Sequence, residues 1–223
     1  MSGQKRYRAG AIGRTGGGDY GHGLHLGFLG AEQVDFVGVA DPDEAGRQKV
    51  AEATGAERTY ADYREMLEKE GLDLVTVGPR WVDCREEMVT ACVEAGCHVY
   101  CEKPMAASLE AGDRMVAAAD RAGVKLAVAH QGVYLPQVQE VKRLLQAGRI
   151  GEVQAVYAHG KQDSRRGGGE DMMVLGTHLF NTMRFFVGDV AWMSAHVTAG
   201  GRAIGPDDVR EAGEPIGLSL IHI

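Results

Sequence analysis

Short apolar segments alternate with helix-patterned segments along the first 129 residues. Five apolar segments predict buried strands, at residues 9–12, 34–40, 72–77, 98–101 and 124–129. Apolar residues at helical spacing, with each run ended by a glycine, predict helices at residues 44–54, 62–70, 83–95 and 109–122. This alternation implies right-handed crossovers and a doubly wound parallel sheet of the Rossmann type, which is an α/β fold. Ligands bind such sheets beyond the carboxyl ends of the strands.

The pattern changes near residue 130 and predicts a second domain. A helix is predicted at residues 136–147, and alternating apolar and polar residues at 153–159 and 191–198 indicate half-buried antiparallel strands. Residues 160–170 are glycine-rich and are predicted to form a mobile loop, after which residues 171–187 return to helical spacing. We therefore expect a Rossmann domain over residues 1–129. A second domain with antiparallel strands should follow over residues 130–223.

Glycines crowd the connection between the first two predicted strands. Gly16, Gly18 and Gly21 match the G-x-G-x-x-G pattern, although this loop is longer than usual. A loop with few side chains lets a pyrophosphate approach the backbone, and the N–H groups of a following helix face its charge. Asp41, about 20 residues further on, is placed to accept hydrogen bonds from a ribose diol and to repel a 2′-phosphate. The motif predicts a dinucleotide site that prefers NAD, while Arg14 beside the loop leaves NADP open.

The candidate cofactor contacts lie at the ends of the predicted strands. They are Gly13, Arg14, Thr15, Gly16, Gly18, Asp41, Pro79, Trp81 and Glu102. Two purely structural interpretations remain open. Glycine-rich turns also occur as simple connections between strands, and Trp81 is equally consistent with a packing role. The flanking strands and the position of Asp41 favour the dinucleotide site.

Composition limits the classes of binding partner and the cellular compartment that we expect. The 223 residues include 31 acidic and 24 basic side chains without a basic run, so nucleic acid is not an expected partner. No apolar stretch reaches membrane-spanning length, and the N-terminus has no signal-peptide segment, which predicts a cytoplasmic protein. The four cysteines lack the paired C-x-x-C spacing of zinc sites, so we expect small buried residues and no metal.

Several motifs together carry a family resemblance. They are the glycine loop with Asp41, CEKP at residues 101–104, LLQAGRIGEV at 144–153 and GTHLFNTMRFFVGD at 176–189. Over about residues 7–189 the chain resembles the Gfo/Idh/MocA oxidoreductases. The resemblance implies a Rossmann domain joined to an α/β substrate domain, here only partial, with an open, largely antiparallel sheet. It also implies hydride transfer between a nicotinamide and a carbinol of a sugar, cyclitol or polyol. It also implies a homo-oligomer for the full-length protein.

The resemblance assigns candidate catalytic residues. Lys103 matches the family lysine that holds the reacting hydroxyl and takes its proton, and a desolvated lysine can have its pKa lowered towards that task. His178 matches the second catalytic residue. Many members carry an aspartate four residues before this histidine, where the present chain has Val174; Asp171, two helical turns before His178, is the candidate replacement. A solvated turn lysine and a structural helix histidine are the competing interpretations.

Two rival functions and one question of length remain. A catalytically inactive dinucleotide-binding or sensing protein would share this fold, and so would a methyltransferase, although the Lys103-Pro104 pair argues against the latter. Family members are considerably longer, so we expect a C-terminally truncated chain with an exposed apolar sheet face. Residues 216–223 are interpreted as a non-native tail.

Overall fold

A computed structural model describes residues 5–160 and 172–208. The chain divides into two compact units between Ala129 and His130. Unit 1 precedes this division and unit 2 follows it. Within the described ranges, no helix is both long enough and apolar enough to cross a bilayer.

Unit 1 is built on a six-stranded parallel sheet. The strand order is β3-β2-β1-β4-β5-β6, and every neighbouring pair is parallel. The strands are β1 (Tyr7–Ile12), β2 (Val34–Ala40), β3 (Arg58–Tyr60), β4 (Leu74–Val77), β5 (His98–Cys101) and β6 (Leu126–Val128). The helices are α1 (Glu44–Thr54), α2 (Tyr63–Glu70), α3 (Arg85–Glu94) and α4 (Leu109–Ala122). The predicted doubly wound α/β fold is confirmed, with β3 as a short additional edge strand.

Local sequence signals set the helix ends. The Asp43 carboxylate accepts a hydrogen bond from the Gly46 N–H at the start of α1, and the Ser108 hydroxyl accepts one from the Ala111 N–H at the start of α4. At the other end of α4, Gly123 adopts φ 67°, which a residue with a side chain rarely does. These helices therefore begin and end where the sequence predicts.

The sheet separates two apolar layers of unequal size. On one side lies a large apolar cluster. It includes four fully buried residues, Val75, Val77, Val89 and Met115. On the other, Ala11, Tyr20, Val39, Val50 and Ala51 form a small cluster. Tyr20 comes from the glycine-rich loop, so the loop itself covers part of the sheet.

The helix expected after the glycines does not form. Turns fill this connection, with a 3₁₀-helix at Leu24–Leu26 as its one helical turn. Gly16, Gly18, Gly21 and Gly23 all have positive φ. A helix nucleates only when consecutive residues adopt right-handed φ and ψ angles, and the repeated left-handed glycines prevent this. The expectation that a helix N-terminus faces the pyrophosphate is therefore wrong for this chain.

Unit 2 is mainly helical in its described part. It contains α5 (Pro136–Gln146), a π-helical turn at Met172–Gly176, α6 (Thr177–Val187), and a hairpin of β7 (Thr198–Ala199) and β8 (Arg202–Ala203). The predicted strand at 153–159 is absent, and of the predicted strand at 191–198 only Thr198 is paired. Alternation selects an apolar face, but a strand also needs a neighbour to complete its backbone hydrogen bonds. Among the described residues, only Thr198 of these two segments is paired with another strand.

Some of the predictions for unit 2 concern residues that the structure does not describe. Of the glycine-rich loop, only Gly160 is described, and Asp171 and the terminal residues 216–223 lie outside the described residues. The expected exposed apolar surface is present, since Trp192 is 81% and Met193 is 80% exposed. It is not a sheet face, because neither residue lies in a strand.

Candidate functional site

The glycine loop is folded tightly on itself at residues 14–19. Arg14 and Asp19 exchange backbone hydrogen bonds of 3.2 and 2.9 Å, and the Gly17 N–H donates to the Arg14 carbonyl at 2.8 Å. The Gly16 N–H donates to Asp19 Oδ1 at 2.9 Å. These amides are used inside the loop. The hairpin therefore has a fixed shape of its own.

The glycines in the loop have different roles. A Cβ on Gly18 would lie 2.4 Å from the Arg80 nitrogen, and one on Gly21 would lie 2.6 Å from the Gly78 carbonyl oxygen. A Cβ on Gly13 would meet the Tyr20 ring at 2.2 Å. These three glycines permit close packing within the protein. Gly16 differs from them, because its φ is 77° and the space into which a Cβ would point is open.

Asp41 connects the end of β2 to the loop. Its side chain is buried, and it accepts hydrogen bonds from the Thr15 backbone N–H at 3.0 Å and the Thr15 hydroxyl at 2.9 Å. The Asp43 N–H donates to the other carboxylate oxygen at 2.9 Å. Burial and the nearby charge of Asp41 raise the pKa of Tyr20, which keeps the Tyr20 phenol neutral. Asp41 is an ionic anchor for the loop as well as a candidate ribose ligand.

Arg14 and Trp81 meet beside the loop. The Arg14 guanidinium lies 5.7 Å from the centre of the Trp81 ring, and its Nη1 donates to Asp83 at 2.8 Å. Both residues were predicted as cofactor contacts, and the structure places them together at the carboxyl edge of the sheet. The Arg14 guanidinium is therefore paired with Asp83, which follows β4, and not with Asp41.

Residues 102–104 directly follow β5, with a cis peptide bond between Lys103 and Pro104. Glu102 is 0% and Lys103 is 5% exposed. The Lys103 backbone N–H donates to Glu102 Oε2 at 2.8 Å, and His22 Nδ1 contacts Glu102 Oε1. Burial opposes ionisation of Glu102, but the hydrogen bonds from His22 and the Lys103 amide outweigh it and lower the Glu102 pKa. The structure thus gives Glu102 a role in holding the turn that carries Lys103.

Arg85 is a residue that the sequence reasoning missed. It is the first residue of α3, it is completely buried, and its guanidinium donates to the carbonyls of Pro79, Glu102 and Pro104. Burial lowers the pKa of Arg85. This one side chain joins the segment after β4 to the segment after β5. In the sequence, an arginine in the first turn of a helix with an apolar face cannot be distinguished from a solvated residue.

His178 lies near the start of α6 in unit 2. Its Nδ1 is 3.5 Å from Nδ1 of His130, and the two rings meet edge to face with centroids 5.2 Å apart. A hydrogen bond between these two nitrogens requires that one imidazole carries its proton on Nδ1 and the other does not. His130 gave no sequence signal, since it is distant from His178 along the chain. Asp171 is outside the described residues, so its candidate role stays a prediction.

The parallel sheet and the glycine loop at its carboxyl edge define a dinucleotide-binding protein of the Rossmann class. A profile described as an oxidoreductase family with an NAD-binding Rossmann fold matches residues 9–130, and the GFO/IDH/MocA C-terminal domain profile matches residues 138–212. The chain belongs to the Gfo/Idh/MocA family of oxidoreductases, as the motifs predicted. An NAD-type cofactor is therefore confirmed at the level of the family.

Individual relatives are similar over part of their length. D-apiose dehydrogenase of Paraburkholderia graminis is 30% identical over 185 residues, covering 79% of this chain and 49% of that protein. Inositol 2-dehydrogenase 1 of Saccharopolyspora erythraea is 36% identical over 154 residues, covering 67% of this chain and 44% of that protein. This chain spans about half the length of the curated relatives it matches.

Solved structures agree on the fold. An NAD binding oxidoreductase from Klebsiella pneumoniae matches with a TM-score of 0.65 and 28% identity, covering 82% of this chain and 54% of that one. A probable dehydrogenase from Thermotoga maritima matches with a TM-score of 0.69 and 24% identity, covering 82% of this chain and 56% of that one. The second likeness shows the fold alone.

Proposed function

We propose that this chain forms the cofactor-binding part of an NAD-dependent dehydrogenase that acts on a carbinol of a sugar, cyclitol or polyol. The observation that carries the proposal is the position of Lys103. It is buried, it directly follows β5, and its turn is fixed by Glu102 and Arg85. A lysine on a rigid turn at the ligand-binding edge of a Rossmann sheet is suited to hold a hydroxyl group.

The residues present fit a dinucleotide. Gly16 leaves open space at the turn of the loop, and the buried Asp41 carboxylate lies beside Thr15 at the end of β2. In this proposal the loop around Gly16 receives the phosphates, and Asp41 receives the adenosine ribose in place of the Thr15 hydroxyl. The nicotinamide supplies the hydride acceptor.

The protein supplies the proton handling. Lys103 holds the reacting hydroxyl and accepts its proton. His178 is the second catalytic residue that the family resemblance implies. Two relatives support the substrate class, because they are named D-apiose dehydrogenase and inositol 2-dehydrogenase 1. Because these family members are named for such substrates, we expect a small polyhydroxylated substrate for this protein.

Two measurements test the proposal in sequence. Titration of this chain with NADH, NADPH and S-adenosylmethionine, followed by fluorescence or calorimetry, should show saturable binding of NADH; binding of S-adenosylmethionine alone would support a methyltransferase. NADH formation is then followed with a panel of sugars, cyclitols and polyols, on this chain and on any longer product of its gene. NADH binding without turnover on both proteins would favour an inactive dinucleotide-binding protein.

A further inference from the structure

His22 reaches the turn of Lys103 from the opposite side of the site. It belongs to the glycine loop, its side chain is 53% exposed, and its Nδ1 contacts Oε1 of the buried Glu102. Glu102 Oε2 is bonded to the Lys103 N–H. One carboxylate therefore joins a residue of the loop to the backbone of Lys103. No other side chain is hydrogen-bonded to the Glu102 carboxylate among the described residues.

The loop is shaped to make this contact. Gly21, just before His22, has φ 63°, and a Cβ there would lie 2.6 Å from the Gly78 carbonyl oxygen and 3.0 Å from Glu102 Oε1. A side chain at this position would push the loop away from Glu102. The absence of a side chain at position 21 thus allows His22 to reach the carboxylate. The contact therefore depends on the conformation of the loop.

The chemistry of the contact fixes which nitrogen acts. An ionised carboxylate only accepts hydrogen bonds, so His22 Nδ1 carries the proton and donates to Glu102. The bond satisfies a carboxylate that is fully buried, where an unpaired charge is strongly unfavourable. Loss of the donor would leave Glu102 to protonate or to move, and either change weakens its hydrogen bond to the Lys103 amide.

We propose that His22 is a positioning residue that holds the Glu102-Lys103 turn in place and couples it to the cofactor loop. The inference rests on the proposed function for the role of Lys103 in chemistry. The physical coupling of His22, Glu102 and the Lys103 backbone does not depend on that function. Because the loop that carries His22 also carries Gly16, cofactor bound at the loop will act on the Lys103 turn through this contact.

The test compares three substitutions of His22. The side-chain amide of asparagine reaches about as far as Nδ1, whereas that of glutamine reaches about as far as Nε2. His22→Asn should therefore keep the bond, and His22→Gln and His22→Leu should lose it. His25→Leu is the matched control, because His25 lies in the same loop and packs edge-on against Tyr20 at 5.2 Å instead of contacting Glu102.

Amide hydrogen exchange at Lys103, followed by NMR on the full chain without cofactor, is the main readout. His22→Leu and His22→Gln should speed this exchange by about 10- to 100-fold relative to the strands of the sheet, the loss expected for a hydrogen bond to a charged group. His22→Asn and His25→Leu should stay near the wild-type rate. Unchanged exchange in His22→Leu, or equal acceleration across the whole sheet, would overturn the positioning role.

A second readout separates positioning from cofactor contact. NADH affinity should stay within about threefold in His22→Leu, while kcat of an active enzyme falls and KM for NAD changes little. A large loss of NADH affinity with normal Lys103 exchange would overturn the proposal and make His22 a cofactor ligand. If the exchange results hold but neither NADH binding nor turnover is found, the proposed function fails and the structural coupling stands.

Discussion

The hydroxyl of Thr15 donates a hydrogen bond to Asp41 Oδ2 at 2.9 Å, so the carboxylate expected to bind the ribose also anchors the glycine loop. The bond spans 26 residues of sequence and joins the segments that follow two neighbouring strands, β1 and β2. It gives Asp41 a fixed orientation. The residue predicted to select the cofactor is therefore held in place by the glycine loop.

Cofactor preference should depend on the charge of Asp41. The buried carboxylate repels a 2′-phosphate, and Arg14 is paired with Asp83, so NADH should bind at least about 10-fold more tightly than NADPH. Asp41→Asn keeps the size of the side chain and an oxygen that can accept from Thr15, and it should reduce this ratio. Asp43→Asn is the control, since asparagine also caps helices and Asp43 is exposed. Dissociation constants for both cofactors measure the effect, and tighter NADPH binding by the wild type would refute the assignment.

Replacing Lys103 should separate chemistry from binding. Lys103→Met in the active enzyme should lower kcat by about 100- to 10,000-fold, the usual contribution of a general acid-base group, and leave NADH affinity within a factor of a few. His178→Ala should cost less. If both residues serve one proton path, the double variant should lose less than the product of the two single losses. Near-normal turnover in Lys103→Met would show that another residue takes the proton.

Arg85 should matter more for stability than any exposed arginine. Arg85→Met removes donors from three buried carbonyls, those of Pro79, Glu102 and Pro104, and should lower the free energy of unfolding by about 3 kcal/mol or more. Arg121→Met on the exposed side of α4 should change it by no more than about 0.5 kcal/mol. Urea denaturation measures both. Equal effects of the two substitutions would mean that the buried guanidinium is dispensable.

Acid should weaken the protein through Glu70. Its buried carboxylate is paired with Arg8 and Arg58 and accepts a bond from the Tyr60 hydroxyl. Burial opposes its ionisation, but the bonds from Arg58 and Tyr60 outweigh it and lower the Glu70 pKa. A lowered folded-state pKa contributes stability above the unfolded value, about 4.5, and this contribution is lost as the pH falls further.

Glu70→Gln tests this linkage. The variant should be less stable than the wild type at pH 7, and the difference should shrink as the pH falls below about 4.5. Unfolding free energies from urea titrations between about pH 7 and pH 3 give the comparison, with exposed Glu94→Gln as the control. A difference that stays constant with pH would mean that Glu70 acts by shape and not by charge.

The sequence alone determined the elements whose signals are local. The predicted bounds of β2, β5, α1 and α4 agree with the structure. Strand and helix identity here depends on apolar periodicity, and helix ends depend on a capping side chain and a glycine within a few residues. The family motifs also placed Asp41 and Lys103 at strand ends. Neighbouring residues carry all of this information.

Only the tertiary structure decided what meets across the sheet and which predicted strands exist. The contact of His22 with Glu102 spans 80 residues of sequence, and that of Arg85 with Glu102 spans 17. In the sequence, a histidine after glycines and an arginine in a helix both resemble surface residues. They meet Glu102 only because the carboxyl ends of the parallel strands lie at one edge of the sheet. In the same way, the alternation at 153–159 indicated an apolar face but could not show whether another strand pairs with it. Backbone hydrogen bonds between strands come from residues that are distant in sequence.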